Sequence, residues 1–509
     1  MKKDICDLEK NRLQCLKWNA ITSLIYQIIL MIGGFVLPRM ILKQYGSVVN
    51  GMVNSITQFL GVISFLEMGV GSVVASSLYK PLSEENKKAI SDIVTSASRF
   101  YKKIAYILII YVIGIIIIFP LITQSDFIFS SSLIISIAIN SFIQYYFGIV
   151  DLFFLSAAQK DYIRFILQSI EYVISLIVSY FMIVIGVSIQ LVKLITSLLF
   201  SLRPIIIRKY INRHYKVNRN SKYENEPISQ KWNGIAQHVS FIVVQNTDII
   251  VLTLLSTLEN VSVYSVYNLA IQGVKSIIVA FTSGIKSAMG DLYVRGENEK
   301  LLNFFEKMEW CIHNITSIVF GCTCALIQPF VLIYTKGIDD ANYSQHLFGV
   351  LLSLAYATFC YRIPYTNVIQ ACNHYKQTQK SYIISAIINV VFSVLLVKWC
   401  GIIGVAIGTL VSMMYHTIWL ARYEMKNLIE RSMKSMYKLI VSDILIIFLG
   451  LCLTSCIKIK EYNYYLWVIL AFKYLVLWIV ISVMINYILH KEKVLFCINY
   501  IKEGAHAKK

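Results

Sequence analysis

Charge is what this sequence has least of. Only 15% of its 509 residues are charged while 57% are hydrophobic, a balance too apolar for a water-soluble multidomain protein. Acids are scarcest, 28 against 47 Lys and Arg. No stretch is left over for a soluble catalytic domain, and no sizeable external loop carries catalytic acids. Zinc spacing is absent too: Cys322-x-Cys324 and Cys452-x-x-x-Cys456 sit in apolar stretches without neighbouring His or Asp, where Cys acts as a small apolar side chain. After Met1-Lys2-Lys3-Asp4 there is no short apolar run ending in a small-residue cleavage site, so the first apolar segment is expected to be a retained membrane helix.

What is present is a succession of long apolar segments. About 20 mostly apolar residues cross a hydrocarbon core, and fourteen segments qualify: 17–42, 51–78, 103–122, 128–156, 162–185, 189–207, 233–256, 261–288, 308–335, 344–371, 379–399, 402–421, 438–457 and 463–488. Ahead of the third, Ile90, Ile93, Val94, Ala97 and Tyr101 form one helical stripe, so 84–103 reads as an amphipathic helix.

The net charge of +19 does not mark a nucleic-acid surface, because the basic residues alternate between connections. The 208–231 segment carries Arg208, Lys209, Arg213, Lys216, Arg219, Lys222 and Lys231, and 422–438 carries Arg422, Lys426, Arg431, Lys434 and Lys438, whereas 121–127 and 185–190 carry none. Lys- and Arg-rich short loops stay in the cytoplasm, which places both termini inside.

The chain also repeats itself. Lys17-Trp18-Asn19 returns as Lys231-Trp232-Asn233 and Leu78-Tyr79 as Leu292-Tyr293, from 17 to 231 and from 78 to 292, a shift of 214 residues both times. Each block holds an even number of spans, so the blocks enter from one side and are parallel repeats, a common plan for secondary transporters. The expected layout is all-α: a first lobe at 1–207, a basic connection at 208–231 serving as hinge, a second lobe at 232–421, an added helix pair at 422–488 and a cytoplasmic tail at 489–509.

Leu66-Glu67-Met68-Gly69-Val70-Gly71, ending the second span before Leu78-Tyr79, is similar to the acidic-x-Gly-Leu/Val signature of bacterial polysaccharide flippases. Leu37-Pro38-Arg39, Gln44-Tyr45-Gly46 and Asn246-Thr247-Asp248-Ile249-Ile250 extend the likeness. The chain thus resembles the Wzx-type branch of the multidrug/oligosaccharidyl-lipid/polysaccharide exporter superfamily over essentially its whole length. The resemblance implies a MATE-like fold, residence in the bacterial cytoplasmic membrane, and translocation of undecaprenyl-diphosphate-linked oligosaccharides from inner to outer leaflet for capsule, O-antigen or exopolysaccharide assembly. It implies no enzymatic step, no cofactor beyond a coupling H+ or Na+, and polysaccharide polymerase machinery as the candidate protein partner; no nucleic acid is expected.

Ionisable groups inside a bilayer are costly and should face a cavity, pair or snorkel. Lys275 and Arg362 lie deepest and are the first candidates for a cationic path under a diphosphate. Arg39 and Lys286 stand nearer an interface, where snorkelling competes with that role. Lys275 and Lys286 are eleven residues apart, about three helical turns, so they are expected to share one face. Asp248 is the candidate for ion coupling or for an outer-gate salt bridge, and Glu67 for an inner gate. Asp151 and Glu171 are expected to pair with Lys160 or Arg164, and Lys473 with Asp443. His313 and His416 are read as satisfied membrane histidines, Trp18 and Trp232 as interface anchors, Tyr462, Tyr464, Tyr465 and Trp467 as an outer belt, and Gly33-Gly34 as a packing or bending site. Alternatives are a cation-coupled drug exporter of the same superfamily, whose cationic substrates a basic cleft would repel, and a membrane polysaccharide polymerase or ligase.

Overall fold

The computed structural model describes residues 2–67, 69–223, 226–228, 235–282, 284–455 and 463–495. Lys231-Trp232-Asn233, Tyr462 and the end of the tail lie outside these. Among the described residues the chain is helical throughout, without a strand. Twelve helical runs are long and apolar enough to cross a membrane. One of them, Lys17–Glu67, has 51 residues, more than one crossing needs. It breaks at Gly46, where φ is 82°, a conformation that glycine adopts without steric cost. The first two expected spans are therefore one run broken at Gly46. Together with Ile235–Leu255, this accounts for all fourteen segments, and the chain is an all-helical multi-pass membrane protein.

Contacts divide the chain into two compact units, Met1–Ser262 and Val263–Lys509. In the first, Asn86 caps helix Lys87–Thr123 by accepting the Ala89 N–H. The predicted amphipathic stretch and the third span prove to be one continuous helix of 37 residues. The stripe of Ile90, Ile93, Val94, Ala97 and Tyr101 is buried, and its neighbours dock the basic connection. Asn218 donates its N–H to Ser91 Oγ at 3.0 Å and accepts from Thr95. Ser96 bonds Glu226, Ser221 bonds Asp92, and the Arg99 guanidinium lies 5.1 Å from the Tyr223 ring centre. Residues 216–223 and 226–228 are thus strapped along this helix. Helix packing here uses small residues: the absent side chain of Gly33 leaves room for Tyr172 and Leu176, and that of Gly71 for Phe153.

Two expected ion pairs of this unit form differently. Asp151 takes Arg219 at 2.7 Å and Arg208 at 3.8 Å, while Glu171 takes Arg203 at 3.1 Å. Arg164 instead holds Asp161 on its own helix. Proximity along the chain misled because the docked connection and helix Leu202–Tyr215 deliver longer-range arginines.

In the second unit, Asn298–Tyr334 is a 37-residue helix on which the added pair, Met433–Ser455 and Tyr464–Leu489, packs through Trp478. A Cβ at Gly321 or Gly450 would meet the indole at 2.1 Å and 2.3 Å. Tyr375–Cys400 and Ile402–Asn427 approach closely at Gly404 and Gly408, where a Cβ would strike Leu396 and Ser393. The expected Lys473–Asp443 pair is replaced: Lys473 is exposed, and Asp443 accepts from Ser317 at 2.7 Å and contacts His313 Nδ1 at 2.6 Å.

Candidate functional site

The tenth span is interrupted just before Pro364. Pro364 has no N–H to give the turn before it, and helix His346–Tyr361 gives way to Ile363–Ala371 at Arg362. Before that joint, Tyr356, Phe359 and Arg362 follow at intervals of three and so share a face. Lys275 of helix Leu258–Thr282 meets them there. Its Nζ is 5.0 Å from the Tyr356 ring centre and 5.2 Å from that of Phe359, and the Arg362 guanidinium is 4.8 Å from Phe359. Cation–π attraction holds both cations to one ring.

Neutral groups position this cluster. Arg362 Nη1 donates to His416 Nδ1 at 2.5 Å, which requires an imidazole neutral at that nitrogen. The His416 ring stands edge-on to Tyr382, 4.3 Å between centres. Gln272 donates to the Tyr356 hydroxyl, which donates to Asn268 Oδ1. Among the described residues neither Lys275 nor Arg362 forms an ion pair. Two half-buried cations on one ring, with aromatic and amide neighbours and no carboxylate, form a site in charge deficit toward an anion.

Lys286 is elsewhere. Helix Leu258–Thr282 ends before it and Ile285–Val294 begins a new one, so the eleven-residue spacing does not fix a common face. Its Nζ donates to Gln370 Oε1 at 3.1 Å and Tyr375 OH at 3.3 Å. Arg39, Asp248 and Glu67 all belong to the first unit. Arg39 is half-buried one residue after Pro38. Glu67 ends the short helix Val62–Glu67 before Gly69, whose φ is 74°, and accepts the Tyr145 hydroxyl at 2.6 Å.

Asp248 is buried, 4% exposed, on a helix whose end packs against the second span. Ser55 and Thr253 hydroxyls are 2.7 Å apart, and Asn50 donates to Ser262 Oγ at 2.8 Å. A Cβ on Gly51 would sit 1.9 Å from the Leu258 carbonyl. Glycine at 51 permits this close approach within the first unit.

Sequence reasoning missed His416, Phe359, Tyr356 and Tyr382 as partners of the cations. The three-residue rhythm of Tyr356, Phe359 and Arg362 was the available signal. It also missed a buried ion cluster. Arg431, counted there among topological loop charges, forks onto Glu309 with two bonds of 2.7 Å and reaches Glu424 at 3.2 Å. Nothing local in the sequence announces it, because the three residues come from separate elements.

No protein-family model and no curated sequence matches the chain. Solved structures do. A lipid II flippase, MurJ, in an inward closed conformation matches with a TM-score of 0.68 at 12% identity, over 93% of this chain and 99% of that one. The Vibrio cholerae MATE transporter VcmN, in a mutant form, matches at 0.53 and 13% identity over 84% and 98%. A eukaryotic MATE transporter, AtDTX14, matches at 0.53 and 13% identity over 84% and 99%. The chain therefore has the fold of these flippase and MATE-transporter structures over most of its length.

Proposed function

We propose that the chain is a flippase that carries an undecaprenyl-diphosphate-linked oligosaccharide from the inner to the outer leaflet of a bacterial cytoplasmic membrane by alternating access, with both termini cytoplasmic. The observation that carries this reading is the Lys275–Phe359–Arg362 cluster, two cations without a carboxylate. A diphosphate entering a low-dielectric site loses its water and needs charge-assisted donors in return. Arg362 supplies a planar fork and Lys275 a point charge. The lipid tail stays in the bilayer, so the protein need enclose only the head and sugars. The likeness to a lipid II flippase supports a lipid-linked cargo.

The seal at Asn50–Ser262 and Ser55–Thr253 lies at the end of the second span that the charge pattern puts outside. Both contacts lie within the first unit, and Asp248 shares a helix with Thr253. Glu67, at the opposite end of the second span, is the inner-gate candidate.

A multidrug resistance transporter shares this fold, and the cluster favours the flippase because like charge repels cationic drugs. A polymerase or ligase would process the carrier-linked chain outside. The test is a deletion strain complemented with wild type, Lys275→Ala or Arg362→Ala. Oligosaccharide-loaded carrier should accumulate in the inner leaflet in the deletion, and both variants should export less polysaccharide at unchanged membrane protein level. Full export by both variants, or unpolymerised material on the outer side of the deletion strain, overturns the reading.

A further inference from the structure

The second buried charge cluster has the opposite imbalance. Glu309 and Glu424 have no accessible surface, and the Arg431 side chain is 4% exposed. They come from helix Asn298–Tyr334, helix Ile402–Asn427 and the connection that follows it. Glu309 is fully served: both oxygens take the Arg431 fork, and Oε1 also takes the Tyr365 hydroxyl at 2.8 Å. The Phe305 ring lies 4.6 Å from the guanidinium.

Glu424 receives far less. Its Oε2 shares the nitrogen that already bonds Glu309, at the longer distance of 3.2 Å, and its Oε1 is buried with no hydrogen-bond partner. An ionised carboxylate in that position bears a large desolvation cost, whereas the neutral acid does not.

The surrounding charges do not supply the missing unit. On helix Asn298–Tyr334, Glu306 is half-buried and His313 is engaged by Asp443. Tyr365 already donates to Glu309, and Cys372 brings no charge. Lys438 is exposed. Lys493 bonds the Glu306 carbonyl at 3.4 Å, and burial lowers its ammonium below the usual range, which makes it a weak counter-charge. Two acids therefore share one guanidinium.

We infer that Glu424 is a proton-binding site: in the resting protein its carboxyl carries one proton, which brings the Glu309–Arg431–Glu424 cluster to neutrality. A proton fits where a metal ion does not, because the Arg431 fork occupies Glu309 and leaves one free carboxylate oxygen. Glu424 lies three residues from the end of its helix, within the basic 422–438 segment, whose one other acid, Glu430, is exposed, so exchange is with the side that the charge pattern makes cytoplasmic. Deprotonation would draw Arg431 from Glu309 toward Glu424 and shift the connection that leads into the added helix pair. That last step rests on the proposed transport function; the proton itself does not.

The experiment is infrared difference spectroscopy on the purified full-length protein in lipid, titrated from mildly acidic to alkaline pH. Wild type should show a protonated-carboxyl band at neutral pH that bleaches on alkalinisation, and Glu424→Gln should lack it. Glu309→Gln, which leaves one acid for one arginine, should also lack it because Glu424 then ionises; this second variant serves if the first is not recovered folded. A band unchanged in either variant overturns the inference. The spectrum is read without cargo, so failure of the flippase reading would leave it standing, and loss of the band would leave the anion-binding reading untouched.

Discussion

The buried charges of the two units follow different rules. In the first, the paired acids have long-range arginines: Asp151 has Arg219 and Arg208, and Glu171 has Arg203, which also bonds Gln144. In the second, Arg431 must serve two acids while Lys275 and Arg362 have none. Balanced or over-paired clusters fasten helices and connections together. Imbalance is costly in a low-dielectric interior, and in the proposed reading a mobile ion completes the charge: an anion at Lys275 and Arg362, a proton at Glu424.

The comparison can be broken in graded ways. Arg431→Ala leaves the buried Glu309 carboxylate with only the Tyr365 hydroxyl and Glu424 with no partner, and should destabilise the second unit most, by about 3–5 kcal/mol; unchanged thermal unfolding in detergent would contradict the assigned pairing. Gly321→Ala or Gly450→Ala forces a methyl into the Trp478 indole and should cost about 1–3 kcal/mol, read in the same assay as a lower midpoint. Arg219→Ala still leaves Arg208 on Asp151, so about 1–3 kcal/mol is expected. Its clearer readout is proteolysis, which should cut the 216–223 strap faster than in wild type, and equal rates would show the strap is held otherwise. Smallest is Tyr145→Phe, which removes one bond to Glu67 and should cost about 1–2 kcal/mol without changing cargo affinity. A large affinity loss there would move the binding site into the first unit.

The fold was legible because apolar length is written along the chain, and all fourteen segments recur as helices. Even the break before Pro364 followed from the missing N–H. Partnerships were less legible. Asp151 finds its arginines 57 and 68 positions away, a distance that no local rule spans. The Lys275 and Lys286 face was lost because the helix ends at Thr282, where the sequence carries no proline to announce it. Lys275 and Arg362 were visible as deep cations, but their common ring, Phe359, and the supporting His416 emerged only when three helices met. Arg431 shows the limit most clearly: a loop position and a positive charge imply a solvated residue, yet its side chain is buried under two glutamates.

The most direct measurement of the central claim is binding of undecaprenyl diphosphate to the purified protein by native mass spectrometry, comparing wild type with the Lys275→Gln/Arg362→Gln double variant at matched stability. The account predicts that the double variant binds at least about tenfold more weakly, a difference of about 1.4 kcal/mol, and that the loss is specific to the diphosphate head, absent with the uncharged polyprenol. Equal affinity of wild type and double variant for the diphosphate would contradict it.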